Sequence, residues 1–149
     1  MSGDYGFIMM IRDKWWIRFC YFAHEGRRIH SYVSGPRAAP KWAFMLLLYV
    51  PKPVRELRGY AEFIERKVGD PEELWIKHGC ETVFSSKEDY FRFIRGWRKV
   101  SFIRFKNFRE AVNPMPFTNL CLLLGVKRLA RRGFYIDREM VDKIVAMLE

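Results

Sequence analysis

Cysteine is scarce in this chain, and long apolar runs are absent. The three cysteines, Cys20, Cys80 and Cys121, are an odd number with no C-x-x-C pair, which argues against a disulfide framework or a zinc site. The longest apolar run, residues 42–50, is far shorter than the about 20 residues that a membrane-spanning helix needs. Asp4 stands where a secretory signal would carry bases. We therefore expect a soluble, cytoplasmic protein without a metal and without membrane association.

Sequence signatures of catalysis are also missing. The chain contains no G-x-S-x-G, no P-loop, no H-E-x-x-H and no G-x-G-x-x-G, so no enzyme class is indicated and no cofactor is expected. Glutamine does not occur, and there are only three asparagines against 17 arginines. Few amides together with many charges are typical of proteins from hot environments.

Positive charge is what the sequence has in excess. Lys and Arg together number 27 and Asp and Glu 17, which gives a net charge of +10. The charge is unevenly distributed, with +6 on residues 1–60, −4 on residues 61–90 and +8 on residues 91–149. A basic chain of this kind is a candidate binder of polyanions, most commonly nucleic acid. A solvated basic surface, or arginines engaged in ion-pair networks, is the alternative.

The order of predicted elements indicates a single α+β domain over residues 1–149. Apolar runs and alternation predict strands at 6–11, 27–33, 41–50, 56–68 and 99–108. The capping residues Asp13, Asp70, Ser85 and Asp137 predict helices at 14–22, 72–77, from Ser85 to about Gly96 and at 138–148. Pro114 and Pro116 indicate a loop, and residues 118–124 are expected to form one short helical turn or two. Without a βαβ rhythm, this order favours a small mixed, mostly antiparallel β-barrel with peripheral helices.

The order of segments over most of the chain carries a resemblance to a known family. A strand (GFIMMI), a helix (DKWWIRFCYFAH) and Gly26-Arg27-Arg28 leading into a strand resemble the opening of PUA-like barrels of the ASCH type. The segments GYAEFIERKVGDPEELWIKHG and SSKEDYFRFIRGWRKVSFIRF are similar to the barrel strand, helical insertion and return strand of archaeal PUA-like proteins of unassigned function. This resemblance implies a pseudobarrel that binds RNA or a modified nucleotide in a cleft between the first helix and the barrel.

The family's G-x-K-x-x-E-x-R stretch matches this chain only in part. Gly26 takes the glycine position and Arg28 the lysine position, whereas Ser31 stands at the glutamate and Val33 at the arginine. Some relatives with the intact motif are amidohydrolases of acetylated cytidine that use a lysine, a threonine and a glutamate. Because Ile29 replaces the threonine, the resemblance does not carry that activity to this chain.

Candidate binding residues fall into a basic group and an aromatic or polar group. Planar guanidinium groups match phosphate oxygens, although bases beside a helix end or in a turn are also found simply as solvated charges. We predict that phosphates are held by Arg27, Arg28, Arg37, Lys41, Arg58, Lys127, Arg128, Arg131 and Arg132. We predict that a base enters near Trp15 or Trp16, of which one belongs to the core, and contacts His30 and Ser31.

A third cluster mixes bases with aromatic residues. Arg92, Arg95, Arg98 and Lys99 are interleaved with Phe91, Phe93 and Trp97, a composition that suits stacking on unpaired bases. Aromatic residues at helical spacing are, however, more often core residues.

The function predicted from the sequence is therefore RNA binding or modified-nucleotide binding, without chemistry. One alternative is a hydrolase or nuclease that acts on nucleotides in the same cleft. Another is a basic protein-interaction module, which would require a large exposed apolar patch.

Overall fold

The computed structural model describes residues 4–149, which form six strands, five α-helices and one 3-10 turn. In chain order these are β1 (Gly6–Met10), α1 (Asp13–His24), β2 (Ile29–Ser34), β3 (Met45–Val50), β4 (Glu56–Gly69), α2 (Pro71–His78), the 3-10 turn (Gly79–Glu81), α3 (Lys87–Phe93), β5 (Val100–Pro116), α4 (Phe117–Leu124), β6 (Phe134–Ile136) and α5 (Arg138–Leu148).

Polar side chains begin several of the helices. The Asp70 carboxylate accepts hydrogen bonds from the N–H groups of Glu72 and Glu73 at the start of α2, and the Asp137 carboxylate accepts one at the start of α5. In α3 the capping residue is Ser86 instead of the expected Ser85. In α1 the expected cap Asp13 is the first helical residue, and Arg12 occupies the capping position without a side-chain hydrogen bond.

Within residues 4–149 the strands form one sheet in the order β2-β5-β4-β3-β1-β6, in which β1 and β3 are the only parallel pair. The α+β class and the mostly antiparallel pairing are thus as predicted. The sheet is not closed, however, because among the described residues β2 pairs with β5 alone and the three-residue β6 pairs with β1 alone. The predicted barrel is therefore an open sheet with two edges.

Alternate residues of the central strands point to opposite faces of the sheet and bury two separate cores. On one face, α1 packs through Trp15, Trp16 and Phe19 against Phe7 and Leu48 and their neighbours. On the other face, α4 and α5 cover a second set of apolar residues that includes Ile8 and Leu47. A third, smaller core lies beneath the α2–α3 insertion, around Tyr90 and Phe102.

Two strands differ in length from the prediction. Residues 41–44 of the apolar run 41–50 lie outside β3. Strand β5 continues past 108 to Pro116, through two prolines that predict a loop. Between the pairs Gly59–Glu110 and Leu57–Met115, β5 contributes residues 111–114 opposite Arg58 alone, so Pro114 lies in a bulge that needs no ladder donor.

Among residues 4–149, no helix combines the length and the apolar character that crossing a bilayer requires.

Candidate nucleic-acid interface

A large cleft lies where α1 begins beside the sheet. Its volume is about 850 Å³. The walls come from the end of β1, from Arg12 before α1, from the end of β2 and the loop that follows it, and from the loop before β6. The lining residues that matter for its chemistry are Arg12, Tyr32, Ser34, Arg37, Arg131 and Arg132, and we call this site the arginine cleft.

The arginine cleft is positively charged and carries no compensating acid. Arg12, Arg37, Arg131 and Arg132 come from three separate segments of the chain, and all four are exposed. Within residues 4–149 none of these guanidinium groups forms an ion pair, and no Asp or Glu lines the cleft. Four unpaired guanidinium groups around one hollow attract anions and offer planar donors to phosphate oxygens.

The loop that forms one wall of the arginine cleft is held by hydrogen bonds from the sheet. The Ser101 hydroxyl on β5 donates to the Gly35 carbonyl at 2.7 Å, and Arg66 on β4 donates to the Ala38 carbonyl at 2.7 Å. The Ala38 N–H donates to the Gly35 carbonyl at 3.1 Å and closes the turn. These contacts fix the backbone that carries Arg37 at the cleft edge.

Tyr32 is the polar aromatic residue of the arginine cleft. Burial raises the pKa of its hydroxyl, while the nearby positive charge of Arg12 acts in the opposite direction. The hydroxyl therefore stays protonated at neutral pH and can donate a hydrogen bond to an anion.

The structure brings three of the predicted phosphate-binding residues into the arginine cleft, namely Arg37, Arg131 and Arg132. Lys127 and Arg128 are exposed in the same connection between α4 and β6, but they do not line the cleft. Lys41 is exposed, and its backbone N–H donates to the Tyr135 hydroxyl at 3.1 Å.

The other predicted basic residues lie away from the arginine cleft. Arg27 donates to the Thr82 carbonyl at 2.7 Å, and its guanidinium lies 3.8 Å from the centre of the Phe22 ring. Arg28 is exposed. Arg58 lies 3.5 Å from Glu56 on the same strand.

The two tryptophans predicted near a base are both buried in the core beneath α1. Trp15 packs edge-on against Phe84 and Phe93, with ring centroids 5.3 and 5.7 Å apart. Trp16 packs against Phe108 at 5.2 Å. From the sequence, one of the two tryptophans is expected in the core. In the structure both are core residues, and neither lines the arginine cleft.

His30 is fully buried and belongs to the same core. Its ring stacks on Phe105 and lies edge-on to Phe19, and neither ring nitrogen has a hydrogen-bond partner among the described residues. Burial, followed by the positive charge of Arg27, lowers the pKa of His30 to about 4. The imidazole is therefore neutral at physiological pH.

Ser31 belongs to a polar network below the 3-10 turn. Its hydroxyl donates to Glu81 at 2.8 Å, and the same carboxylate accepts two hydrogen bonds from Arg104, at 2.9 and 3.0 Å. Burial alone would raise the pKa of Glu81, but the hydrogen bonds from Arg104 and Ser31 outweigh it and hold that pKa below its usual value. Arg104 lies directly opposite Ser31 in the sheet and also pairs with Glu65. The Glu and Arg that the β2 motif lacks are thus present as neighbours of Ser31, supplied by distant segments.

The sequence prediction omits Arg12, which lines the arginine cleft. The only local feature that could have indicated Arg12 is its position between the first predicted strand and the first predicted helix. Among the described residues, no group of three or more His, Cys, Asp or Glu is placed to hold a metal ion.

Comparison with known proteins identifies the fold. No protein-family model matches the sequence, and no curated protein matches it. Among solved structures, a serine-to-alanine mutant of the ASCH protein from Zymomonas mobilis superposes with a TM-score of 0.77 at 15% identity, over 99% of both chains. The ASCH protein from the same organism, with no mutation named, superposes with a TM-score of 0.73 at 17% identity, over 95% of this chain and 94% of that one.

This chain therefore has the ASCH-type, PUA-like fold over nearly its whole length. The resemblance seen in the β1–α1–β2 segment is confirmed at the level of fold.

Proposed function

We propose that the arginine cleft binds single-stranded RNA through its phosphates. The observation that carries this proposal is the convergence of Arg12, Arg37 and the Arg131–Arg132 pair on one hollow without an acid. Phosphate contacts supply most of the affinity in nucleic-acid complexes, and arginine is well suited to them.

Two features favour a strand over an isolated nucleotide. The arginine cleft has a volume of about 850 Å³ and is lined by four arginines from three segments of the chain, which suits several successive phosphates. All four are exposed at the rim, where a long polyanion can reach them without entering the core.

The composition of the arginine cleft also favours binding over chemistry. The side chains that line it offer donors, from arginine, Tyr32 and Ser34, but no carboxylate or imidazole that could serve as a general base. The hydrolase alternative would require such a group at the bound phosphate.

Fluorescence anisotropy with a labelled single-stranded RNA of about 12 nucleotides, in about 50 mM salt, tests the proposal. Replacing Arg131 and Arg132 together by Ala is expected to weaken binding by about tenfold or more, because two charge-assisted contacts are lost. The matched control replaces Arg138 and Lys143 by Ala, which changes the net charge by the same amount. Both residues lie on α5, which packs on the face of the sheet opposite to α1. This control is expected to bind within about twofold of the unaltered protein.

Equal weakening in both variants would contradict the proposal, because affinity would then follow net charge and not the arginine cleft. Single-stranded DNA and mononucleotides in parallel titrations report whether the ribose and the length of the strand matter. A denaturing gel of the same RNA after incubation reports cleavage, and shortened products would support the hydrolase alternative instead.

A further inference from the structure

A second groove opens beside the arginine cleft on the side of the α2–α3 insertion. It is an open surface groove of about 520 Å³, lined by Gly35, Pro36, Trp97, Arg98 and Lys99. We call it the Trp97 groove. Like the arginine cleft, it has bases and no acid among its lining residues.

Trp97 is presented to solvent by the end of α3. The turn after that helix places Gly96 at φ +86°, a left-handed conformation that glycine adopts without strain, and the Trp97 N–H donates to the Ile94 carbonyl at 2.9 Å. The indole packs edge-on against Phe93, with centroids 5.8 Å apart, yet 39% of the residue remains exposed. A tryptophan held in this way offers an aromatic surface at little cost in side-chain entropy.

Cations flank that surface. Arg98 and Lys99 are both exposed, and within residues 4–149 neither forms an ion pair. An aromatic ring next to unpaired cations is the arrangement by which proteins hold unpaired bases and the adjoining phosphates.

The two sites are continuous. Gly35 and Pro36 line both the arginine cleft and the Trp97 groove, so these two residues form the ridge between them. The ridge is fixed, because the Ser101 hydroxyl donates to the Gly35 carbonyl at 2.7 Å and lies 3.3 Å from the Ser34 carbonyl. A side chain at Gly35 would project into open space, so no protein atom blocks the path across the ridge at that point.

We propose that the Trp97 groove is a second subsite for the same RNA strand, in which Trp97 stacks on an unpaired base and Arg98 and Lys99 contact the next phosphates. This inference rests on the proposed function of the arginine cleft and makes it more specific. The ligand is a single strand long enough to cross the Gly35–Pro36 ridge, and base pairing would hide the ring faces that Trp97 requires.

The test compares a short and a long single-stranded RNA, of about 4 and about 12 nucleotides. Trp97→Ala is expected to weaken binding of the long RNA by about tenfold, the effect of losing one stacked base, and to leave the short RNA unchanged. Trp97→Phe keeps an aromatic face and is expected to restore most of the affinity. A series of long RNAs, each lacking one base, is then compared. Removal of the base at one position is expected to weaken binding to the unaltered protein and to leave binding to the Trp97→Ala variant unchanged.

Two controls separate stacking from damage to the fold. Trp42→Ala removes a tryptophan that is more exposed, at 52%, but lines neither site, and it is expected to change nothing. Replacing Arg98 and Lys99 by Ala leaves the contact between Trp97 and Phe93 in place, and it is expected to weaken only the long RNA. This double variant keeps the inference testable if Trp97→Ala does not fold.

The outcomes distinguish the two proposals. If the Arg131 and Arg132 variant weakens both RNAs while the Trp97 and Arg98–Lys99 variants affect neither, the second subsite is disproved and the arginine cleft stands. If no RNA of either length binds, the proposed function itself fails. Equal losses for the short and long RNAs in the Trp97 variants would also overturn the second subsite.

Discussion

The side chain of His30 is fully buried between Phe19, Phe105 and Phe108, with neither ring nitrogen hydrogen-bonded within the described part of the chain. Burial and the charge of Arg27 lower its pKa from the ordinary 6.5 to about 4, and Glu81 opposes this only weakly. A polar ring without partners is costly to bury and far more costly to charge. His30 therefore behaves as an aromatic core residue that must stay neutral.

This buried imidazole makes stability depend on pH. Between about pH 6.5 and pH 4 the unfolded chain binds a proton at His30 and the folded chain does not, so the free energy of unfolding falls as the pH is lowered through that range. The full difference corresponds to about 3 kcal/mol. His30→Phe is expected to remove this part of the pH dependence, measured by urea unfolding at a series of pH values.

The exposed His24 provides the control for that measurement. Its ring lies 2.6 Å from Glu110 at the surface. In the His24→Phe variant the free energy of unfolding is expected to depend on pH nearly as strongly as in the unaltered protein. If the free energy of unfolding of the His30→Phe variant depends on pH as strongly as that of the unaltered protein, the pH dependence does not come from His30.

At the level of the elements, helix α1 rests on strand β4 at Gly59. A Cβ atom added there would lie 2.6 Å from the Trp16 ring and closer still to the Arg109 carbonyl oxygen. The pairing of β4 with β5 shifts register next to this residue. A glycine inside a strand is typical of a bulge or a close backbone approach, and the structure shows both at Gly59.

Gly59→Ala is expected to destabilise the protein by about 2 kcal/mol or more, because either α1 or β5 must move to admit the methyl group. Gly35→Ala is the matched control, since its Cβ would meet no atom within 4 Å. Thermal unfolding followed by circular dichroism measures both. Similar melting temperatures for the two variants would show that α1 does not press on β4 in this way.

Over the whole molecule, the acids and the bases have different uses. The acidic segment 61–90 directs much of its charge into contacts within the protein, such as Glu65 and Glu81 with Arg104, Glu72 with Lys87, and Asp89 with Arg92. Within residues 4–149, none of these acids forms an ion pair with an arginine of the arginine cleft. Four of the 17 arginines therefore line one cleft in which, among the described residues, no acid offsets them.

This distribution predicts how RNA affinity responds to salt. For the short RNA of about 4 nucleotides, which does not reach Arg98 and Lys99, the four contacts of the proposed site give a slope of about −3 for log affinity against log salt concentration. Loss of Arg131 and Arg132 is expected to reduce the slope to about −1.4, since two contacts remain. Anisotropy titrations at several salt concentrations measure it.

The charge-matched variant at Arg138 and Lys143 is expected to keep the slope of about −3. A slope near zero in the unaltered protein would show that binding does not depend on phosphate contacts.

Features that depend on neighbouring residues were predictable. The start of α2 follows from Asp70 and Pro71, and the start of α5 from Asp137, because a cap and the N–H groups it satisfies lie within three residues of each other. The length of β5 was not predictable in this way, because Pro114 is tolerated only by a bulge opposite Arg58 on another strand.

The candidate site shows the same division. The density of bases at 127–132 predicts Arg131 and Arg132, the basic set that begins at Arg27 includes Arg37, and all three line the arginine cleft. Arg12 was missed because it is followed by Asp13 and Lys14 at the start of α1, and its position before the helix does not by itself distinguish it from a solvated base. His30 and Ser31 alternate with their neighbours as a binding strand would, yet one is sealed in the core and the other is bonded to Glu81.

The amino-acid order by itself determined the class of fold, most of the element boundaries and the excess of positive charge, since each arises from composition or from contacts a few residues apart. Which arginines share a hollow, and which are tied up by acids or carbonyls, was decided only by the tertiary structure. The physical reason is that guanidinium groups separated by tens or more than a hundred residues become neighbours only when β1, β2 and the loop before β6 are brought together by the sheet.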